Sequence, residues 1–200
     1  MIPRPNFSNA ASSYYLHNAR RYNSSYNLQD GLRKFMRCVP QPAVIITTCC
    51  SENHKIRRGI TVSSFNTLSM AEHPLVSFNV QLPSRFAELL RQSSKFIVNF
   101  PRACREHAAL AHTFSIAGFK IEERIGDLFE SAKWSATKFG PLALTDALGR
   151  LHCEVVERIP VEDHELIIGR VKSIYDLSED ADEDALIYAH RNYCALGEKL

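Results

Sequence analysis

The 200-residue sequence lacks the features that assign a chain to several large protein classes. No apolar run approaches the roughly 20 residues that a transmembrane helix needs, so no membrane span is expected. The 24 basic and 22 acidic residues leave a formal charge of +2, and there is no long basic block. Neither nucleic acid nor an anionic membrane surface is therefore indicated as a partner.

Cysteine spacing and catalytic signatures exclude further classes. The six cysteines form no Cys-x-x-Cys pair, which indicates reduced thiols in an intracellular protein. The metalloprotease, phosphate-loop, nucleophile-elbow and glycine-rich dinucleotide signatures are all missing. His107 and His112 are five residues apart on a predicted helix and so lie on different faces. We expect one buried and one exposed histidine there, and no metal site.

Residues 1–29 contain three arginines, many serines and asparagines, and no acidic residue. An arginine-rich, serine-rich and acid-free N-terminus is typical of an organellar transit peptide, so the composition favours a mitochondrial location. The alternative is a plain disordered tail on a cytoplasmic protein. Residues 30–200 are then expected to form one domain.

The rest of the chain predicts short antiparallel strands with two helices between them. Ser84 can cap one helix, and residues 103–114 form the second. Gly169 inside a late strand indicates a bend of the kind that lets a sheet curl into a closed or nearly closed barrel. The predicted strands are residues 43–49 and 60–69 as hairpin neighbours, 75–80, 95–100, 151–159 and 165–174.

The stretch from Gly59 to Phe65 has an unusual composition for a strand. Three hydroxyl side chains, Thr61, Ser63 and Ser64, stand where aliphatic residues would fill a core. Strand alternation places Thr61 and Ser63 on one face, which could hold an anion or a polar ring edge. A solvated strand face is the simpler alternative.

The order of several short motifs resembles the flavin reductase-like family with the FMN-binding split barrel. The resemblance covers about residues 32–196. It is carried by Met36-Arg37, Gly59-x-Thr61-Val62-Ser63-Ser64-Phe65, Pro74-Leu75-Val76-Ser77-Phe78, Ser84-Arg85, Phe96-x-Val98-Asn99, Leu110-Ala111, Phe114, Asp163-His164 and Gly169-x-Val171.

This resemblance implies a mainly β protein, a split β-barrel with short flanking helices that forms a homodimer. It also implies FMN, or FAD in its place, as cofactor and NAD(P)H as electron donor. The implied activity is hydride transfer from NAD(P)H to flavin, with reduced flavin passed to a partner monooxygenase. A flavin-binding protein of the same fold, with an assembly role and little turnover, is the alternative.

Candidate site residues follow from the chemistry of FMN and from the family positions. A phosphate of about two negative charges needs hydroxyl and amide donors and a cation, which Thr61, Ser63, Ser64, Ser84 and Arg85 can supply. The resemblance implies that the ring rests against residues 78–81, which include Val80 and Gln81, and against the backbone near Asn99. It also implies that His164 touches the nicotinamide or the ring edge, and that Tyr188 and Arg191 close over the flavin. A structural role remains the alternative for these last three.

Two departures from the family pattern qualify the expectations. The family often has Ser-x-Thr where this chain has Ser84-Arg85-Phe86, so one hydroxyl is missing and Phe86 is expected to pack inward. Glu162 precedes Asp163-His164 where the family usually has glycine. The second departure bears on how a pyridine nucleotide enters, and hence on reductase activity more than on FMN binding.

Overall fold

The computed structural model describes residues 27–116, 128–130, 133–175 and 184–197, and the chain divides into two units, Met1–Cys38 and Val39–Leu200. The described part of the first unit contains helix α1 (Leu28–Met36). The Asn27 side chain caps α1 by accepting a hydrogen bond from the backbone N–H of Gln29 at 3.0 Å. Residues 1–26 of the predicted tail lie outside the described residues.

The second unit is built mainly from strands, most of them close to the predicted ones. The sheets comprise β1 (Gln41–Pro42), β2 (Val44–Cys49), β3 (Arg57–Val62), β4 (Asn66–Ser69), β5 (Leu75–Gln81), β6 (Lys95–Phe100), β7 (Trp134–Ser135), β8 (Ala143–Leu144), β9 (Gly149–Val161), β10 (His164–Tyr175), β11 (Ile187–Ala189) and β12 (Asn192–Cys194).

Seven of these strands form one antiparallel sheet in the order β3-β2-β6-β9-β10-β5-β4. The pairing of β2 with β3 confirms the predicted hairpin. The register between β9 and β10 shifts at Ile168/Gly169, which confirms the predicted irregularity at Gly169. A Cβ at Gly169 would collide with the ring of Phe96, so glycine lets the sheet bend around this ring.

The predicted continuous strand 60–69 is wrong. It is interrupted at residues 63–65, between β3 and β4. The Ser64 hydroxyl accepts a hydrogen bond from the backbone N–H of Asn79 at 2.9 Å, and the Phe65 ring meets Phe100 edge-on at 5.4 Å. These contacts turn the chain from one edge of the sheet to the other. β3 and β4 are the two edge strands of this sheet and do not pair with each other. The described sheet is therefore split and does not close.

Two hydrophobic clusters lie on opposite faces of β2, which explains why all six of its residues are buried. Val44 and Ile46 belong to the cluster inside the curled sheet, which includes Phe86 of helix α2 (Arg85–Ser93). Ile45 belongs to the other cluster, beside Phe114 of helix α3 (Arg105–Ile116). The inward packing of Phe86 is confirmed.

Both helices lie where the sequence predicted helices. The Ser84 side chain caps α2 by accepting from the backbone N–H of Ala87 at 3.3 Å, as expected. His107 on α3 is 3% exposed and His112 is exposed, which confirms their predicted difference in burial. Among the described residues, no helix combines the length and apolarity needed to cross a membrane.

Candidate active site at the split of the sheet

Two cavities adjoin where the chain leaves β3. They share a wall made of Thr61, Val62, Ser63 and Ser115, at the end of β3 and the end of α3. We call them the first and the second cavity. The shared wall means that ligands occupying both cavities would lie close to each other.

The first cavity has a volume of 340 Å³ and lies between the ends of β3 and β5. It brings together seven of the eleven predicted site residues, which come from four separate segments of the chain. These seven are Thr61, Ser63, Ser64, Val80, Gln81, Ser84 and His164.

The second cavity has a volume of 490 Å³ and is lined on its far side by β11, β12 and the turn between them. It contains the predicted residues Tyr188 and Arg191. Both His190 and Arg191 have positive φ angles, 51° and 65°, in the left-handed region that side-chain-bearing residues seldom adopt. This tight turn places Arg191 in the cavity wall.

The three hydroxyls of the β3 end differ in the hydrogen bonds that they already make. Thr61 donates to the backbone carbonyl of Ala111 at 2.7 Å, and Ser64 accepts from the Asn79 backbone at 2.9 Å. No described residue hydrogen-bonds the Ser63 hydroxyl. Thr61 therefore serves mainly to hold α3 against β3, whereas Ser63 keeps its donor for a ligand.

His164 begins β10 directly beside Gln81 of β5, and both residues line the first cavity. Its Nδ1 lies 2.7 Å from Oδ1 of Asp163. This hydrogen bond lowers the pKa of Asp163, which is therefore a carboxylate at neutral pH. Because a carboxylate only accepts, Nδ1 of His164 carries the proton in this hydrogen bond, which leaves Nε2 as the ring nitrogen available to a ligand.

Two predicted site residues do not line either cavity. Arg85 is exposed in the first turn of α2, next to Ser84. Asn99 is 0% exposed, and its amide links three strands: it donates to Ile45 O at 3.0 Å and accepts from Leu144 N at 2.8 Å. The side chain of Asn99 is thus used within the sheet.

Sequence reasoning missed the contribution of α3 to both cavities. The predicted helix ended at residue 114, whereas α3 continues to Ile116 and carries Ser115 into the shared wall. His112 and Tyr193 also line the second cavity. Burial raises the pKa of Tyr193, so its phenol stays protonated. Helical spacing from the predicted buried Ala111 could have placed Ser115 one turn further along the same helix face.

The lining of both cavities fits an anionic, ring-bearing cofactor such as FMN. No carboxylate lines either cavity among the described residues, while hydroxyls, amides and Arg191 do. The N-terminus of α2 at Ser84 adds backbone N–H groups and the positive end of a helix dipole. Val62, Val80 and Phe114 supply apolar surface for a planar ring.

The chain resembles known proteins over most of its length. Residues 36–197 match the family model described as flavin reductase like domain. The chain therefore belongs to the flavin reductase-like family. The family predicted from the order of the sequence motifs is confirmed.

Individual relatives give the match more detail. An NADH:FMN oxidoreductase from Rhodococcus qingshengii is 29% identical over 138 residues, which cover 68% of this chain and 66% of the relative. This chain thus spans just under two thirds of that protein. The reductase subunit HsaB of a flavin-dependent monooxygenase from Rhodococcus jostii is 26% identical, with 82% and 77% of the two chains covered. The solved structure of flavin reductase HpaC complexed with NADP+ is 28% identical, with a TM-score of 0.68 and coverage of 84% and 97%.

The predicted mitochondrial location is wrong. The curated relatives from Rhodococcus are bacterial proteins, and bacteria have no mitochondria. Arginine-rich, acid-free composition is not specific to import signals, and most of the stretch that suggested it lies outside the described residues.

Proposed function

We propose that this protein is an NAD(P)H-dependent flavin reductase that holds FMN in the first cavity and receives the nicotinamide nucleotide in the second. When bound, FMN supplies the acceptor for the hydride of NAD(P)H. The observation that carries the proposal is the wall shared by the two cavities, at Thr61, Val62, Ser63 and Ser115. Hydride transfer requires two rings in contact, and adjoining cavities favour that arrangement.

The residues of the first cavity have distinct proposed roles toward FMN. Ser84 and the backbone N–H groups of the first turn of α2 hold the phosphate. Arg85 does not line the cavity, but it is exposed in the same helical turn and supplies the cation. Ser63 donates a hydrogen bond to the polar edge of the ring, because its hydroxyl is not used within the described protein. Val80 and Gln81 form the wall against which the ring lies.

The residues near the second cavity act on the nicotinamide nucleotide in this proposal. Arg191 lines the cavity and supplies a cation for the nucleotide's phosphates. His164 lines the first cavity instead, where Nε2, oriented by the hydrogen bond from Nδ1 to Asp163, contacts the polar edge of the flavin ring. None of these residues has to exchange a proton with the substrate, since hydride transfer depends on ring contact and exclusion of water.

Two arginine variants test the assignment of the cavities. Arg85→Ala is expected to raise the dissociation constant for FMN about tenfold, the effect of losing one charge-assisted hydrogen bond. The KM for NADH, measured at saturating FMN, should change little. Arg191→Ala is expected to do the reverse and raise the KM for NADH or NADPH about tenfold while leaving FMN affinity within about twofold.

Flavin fluorescence titration and steady-state kinetics measure both quantities on the same preparations. Arg105→Ala is a matched control, because Arg105 is an exposed residue that lines neither cavity. If both variants weakened FMN binding and left the KM unchanged, the second cavity would not be the nucleotide site.

Two further parts of the proposal concern assembly. The similarity to the monooxygenase reductase subunit supports delivery of reduced flavin to a partner monooxygenase. The homodimer remains a proposal from the family resemblance. Light scattering on the purified protein should give twice the 22.7 kDa mass of one chain. A mass equal to that of one chain would contradict the homodimer.

A further inference from the structure

A third cavity, of 480 Å³, lies away from the proposed active site and shares no lining residue with it. Its lining residues on β10, Ser173 and Tyr175, are nine and eleven residues from His164, or about 30 Å and more along an extended strand. The loop that follows β7 covers one side. The cavity is lined by Ser135, Ala136, Thr137, Lys138, Phe139, Arg150, His152, Ser173 and Tyr175.

A column of three aromatic rings forms part of this wall. The rings of Phe139 and His152 are stacked, with centroids 4.9 Å apart and planes 25° apart. The ring of Tyr175 on β10 has its centroid 4.5 Å from that of His152 on β9, and Tyr175 is 46% exposed. The column is therefore a preformed surface on which a further planar ring can stack.

His152 carries an unused polar atom at the centre of this column. The residue is 6% exposed, and its Nε2 has no hydrogen-bond partner among the described residues. Burial, together with the charge of Arg150, lowers the pKa of His152, so the ring is neutral at physiological pH. A buried polar atom without a partner is destabilising, and a ligand that pairs with it would remove that penalty.

The charged residues among the described lining of this cavity are both cations. Lys138 and Arg150 line it, and Nζ of Lys95 lies 5.1 Å from the centroid of the Phe139 ring. No carboxylate is among the described lining residues. Ser135, Thr137 and Ser173 add hydroxyl donors. This surrounding favours an anion over a cation or a neutral molecule.

We propose that this third cavity binds a planar aromatic anion whose ring stacks on the Phe139–His152–Tyr175 column. The anionic group of the ligand lies near Lys138 and Arg150, and a polar atom of the ligand pairs with Nε2 of His152. An aromatic carboxylate and a purine nucleotide share this chemistry. The site is independent of the proposed flavin reduction.

Calorimetric titration of the full chain tests the site with two probes, 2-naphthoate and AMP. We expect binding of at least one of them, and the probe that binds identifies the carboxylate or the nucleotide as the natural class. The neutral analogue 2-naphthalenemethanol is expected to bind at least about tenfold more weakly, since it lacks the charge. No measurable binding of either anion would overturn the proposal.

Two substitutions then locate the binding. His152→Phe keeps an aromatic ring in the column and removes Nε2. It should raise the dissociation constant of the probe that binds about fivefold. Lys138→Glu reverses the charge of an exposed side chain that is not part of the hydrophobic core. It should raise the dissociation constant of the probe at least as much. His73→Phe, at an exposed position outside the cavity, should have no effect.

FMN affinity provides the internal control for these variants. It should be unchanged in His152→Phe and Lys138→Glu, because neither residue lines the first or the second cavity. Unaltered probe binding in both variants would place the probe elsewhere and refute the site, whatever the flavin titration shows.

Discussion

The hydrogen bond between Asp163 and His164 orients the histidine that lines the first cavity. Asp163 is exposed, and the hydrogen bond from His164 is the main cause that lowers its pKa, against an opposing effect of desolvation. Any stabilisation from this lowered pKa is present above about pH 4, the pKa of an aspartate in the unfolded chain. It is lost as the pH falls through the pKa of Asp163 in the folded protein.

We expect His164→Ala to raise the pKa of Asp163 toward its ordinary value. The hydrogen bond that favours the carboxylate is absent in this variant. An NMR titration of the Asp163 side-chain carbonyl carbon measures the change directly. An unchanged pKa would mean that His164 is not the group that holds the carboxylate, and the assignment of its tautomer would fail.

The side chain of Asn99 has a structural role that the sequence did not predict. Its amide joins β6 to β2 and β8 through two buried hydrogen bonds. We expect Asn99→Ala to lower the free energy of unfolding by about 2 kcal/mol or more, because it leaves the Leu144 N–H and the Ile45 carbonyl without partners. Urea unfolding measures this change.

Asn53→Ala is the control for that experiment. Asn53 is exposed and accepts only a local hydrogen bond, from Lys55 N at 3.0 Å, so its loss should matter much less. If Asn99→Ala reduced FMN affinity strongly and left stability unchanged, the Asn99 amide would act on the flavin and not on the strands.

At the scale of single elements, Gly59 determines how closely α3 packs on β3. A Cβ at this position would lie 2.6 Å from Cε1 of Phe114, whose ring is buried. We expect Gly59→Ala to destabilise the fold by about 1–3 kcal/mol, since the ring and the helix must shift to make room. Thermal unfolding is a suitable measurement.

Gly197→Ala provides a matched control, because no atom lies within 4 Å of the added methyl group. Equal stability of the two variants would show that α3 can move away from β3 without a cost in stability. The structure identifies the Phe114 ring as the group that packs closely against Gly59.

Most strands and helices could be predicted, because local sequence determines them. The β-branched run of β2, the apolar run of β6 and the cap at Ser84 each contain their own signal. The interruption after Val62 could not be predicted in this way. It depends on Ser64 bonding to Asn79, fifteen residues away, and on the packing of Phe65.

At the scale of the whole molecule, the candidate site exists only because distant segments meet. The first cavity joins the end of β3, the end of β5, the start of α2, the end of α3 and His164. Residue types and family order gave most of these positions. They did not reveal that Arg85 lies outside both cavities, that Asn99 is used within the sheet, or that Ser115 lies in the wall, because strand order and helix length decide these points.

In the proposed function, flavin is reduced in the first cavity. Ser63→Trp would fill this cavity from the shared wall, whereas Ser51→Trp puts the same ring on an exposed loop. Both variants should remain folded, since neither position belongs to the hydrophobic clusters.

The most direct measurement is anaerobic mixing of the protein and FMN with NADH or NADPH, followed by the visible absorbance of the flavin. We expect the natural protein and Ser51→Trp to bleach the flavin rapidly and Ser63→Trp to do so at least about tenfold more slowly. Failure of the natural protein to bleach the flavin with either nucleotide, or equal rates in all three proteins, would contradict the account.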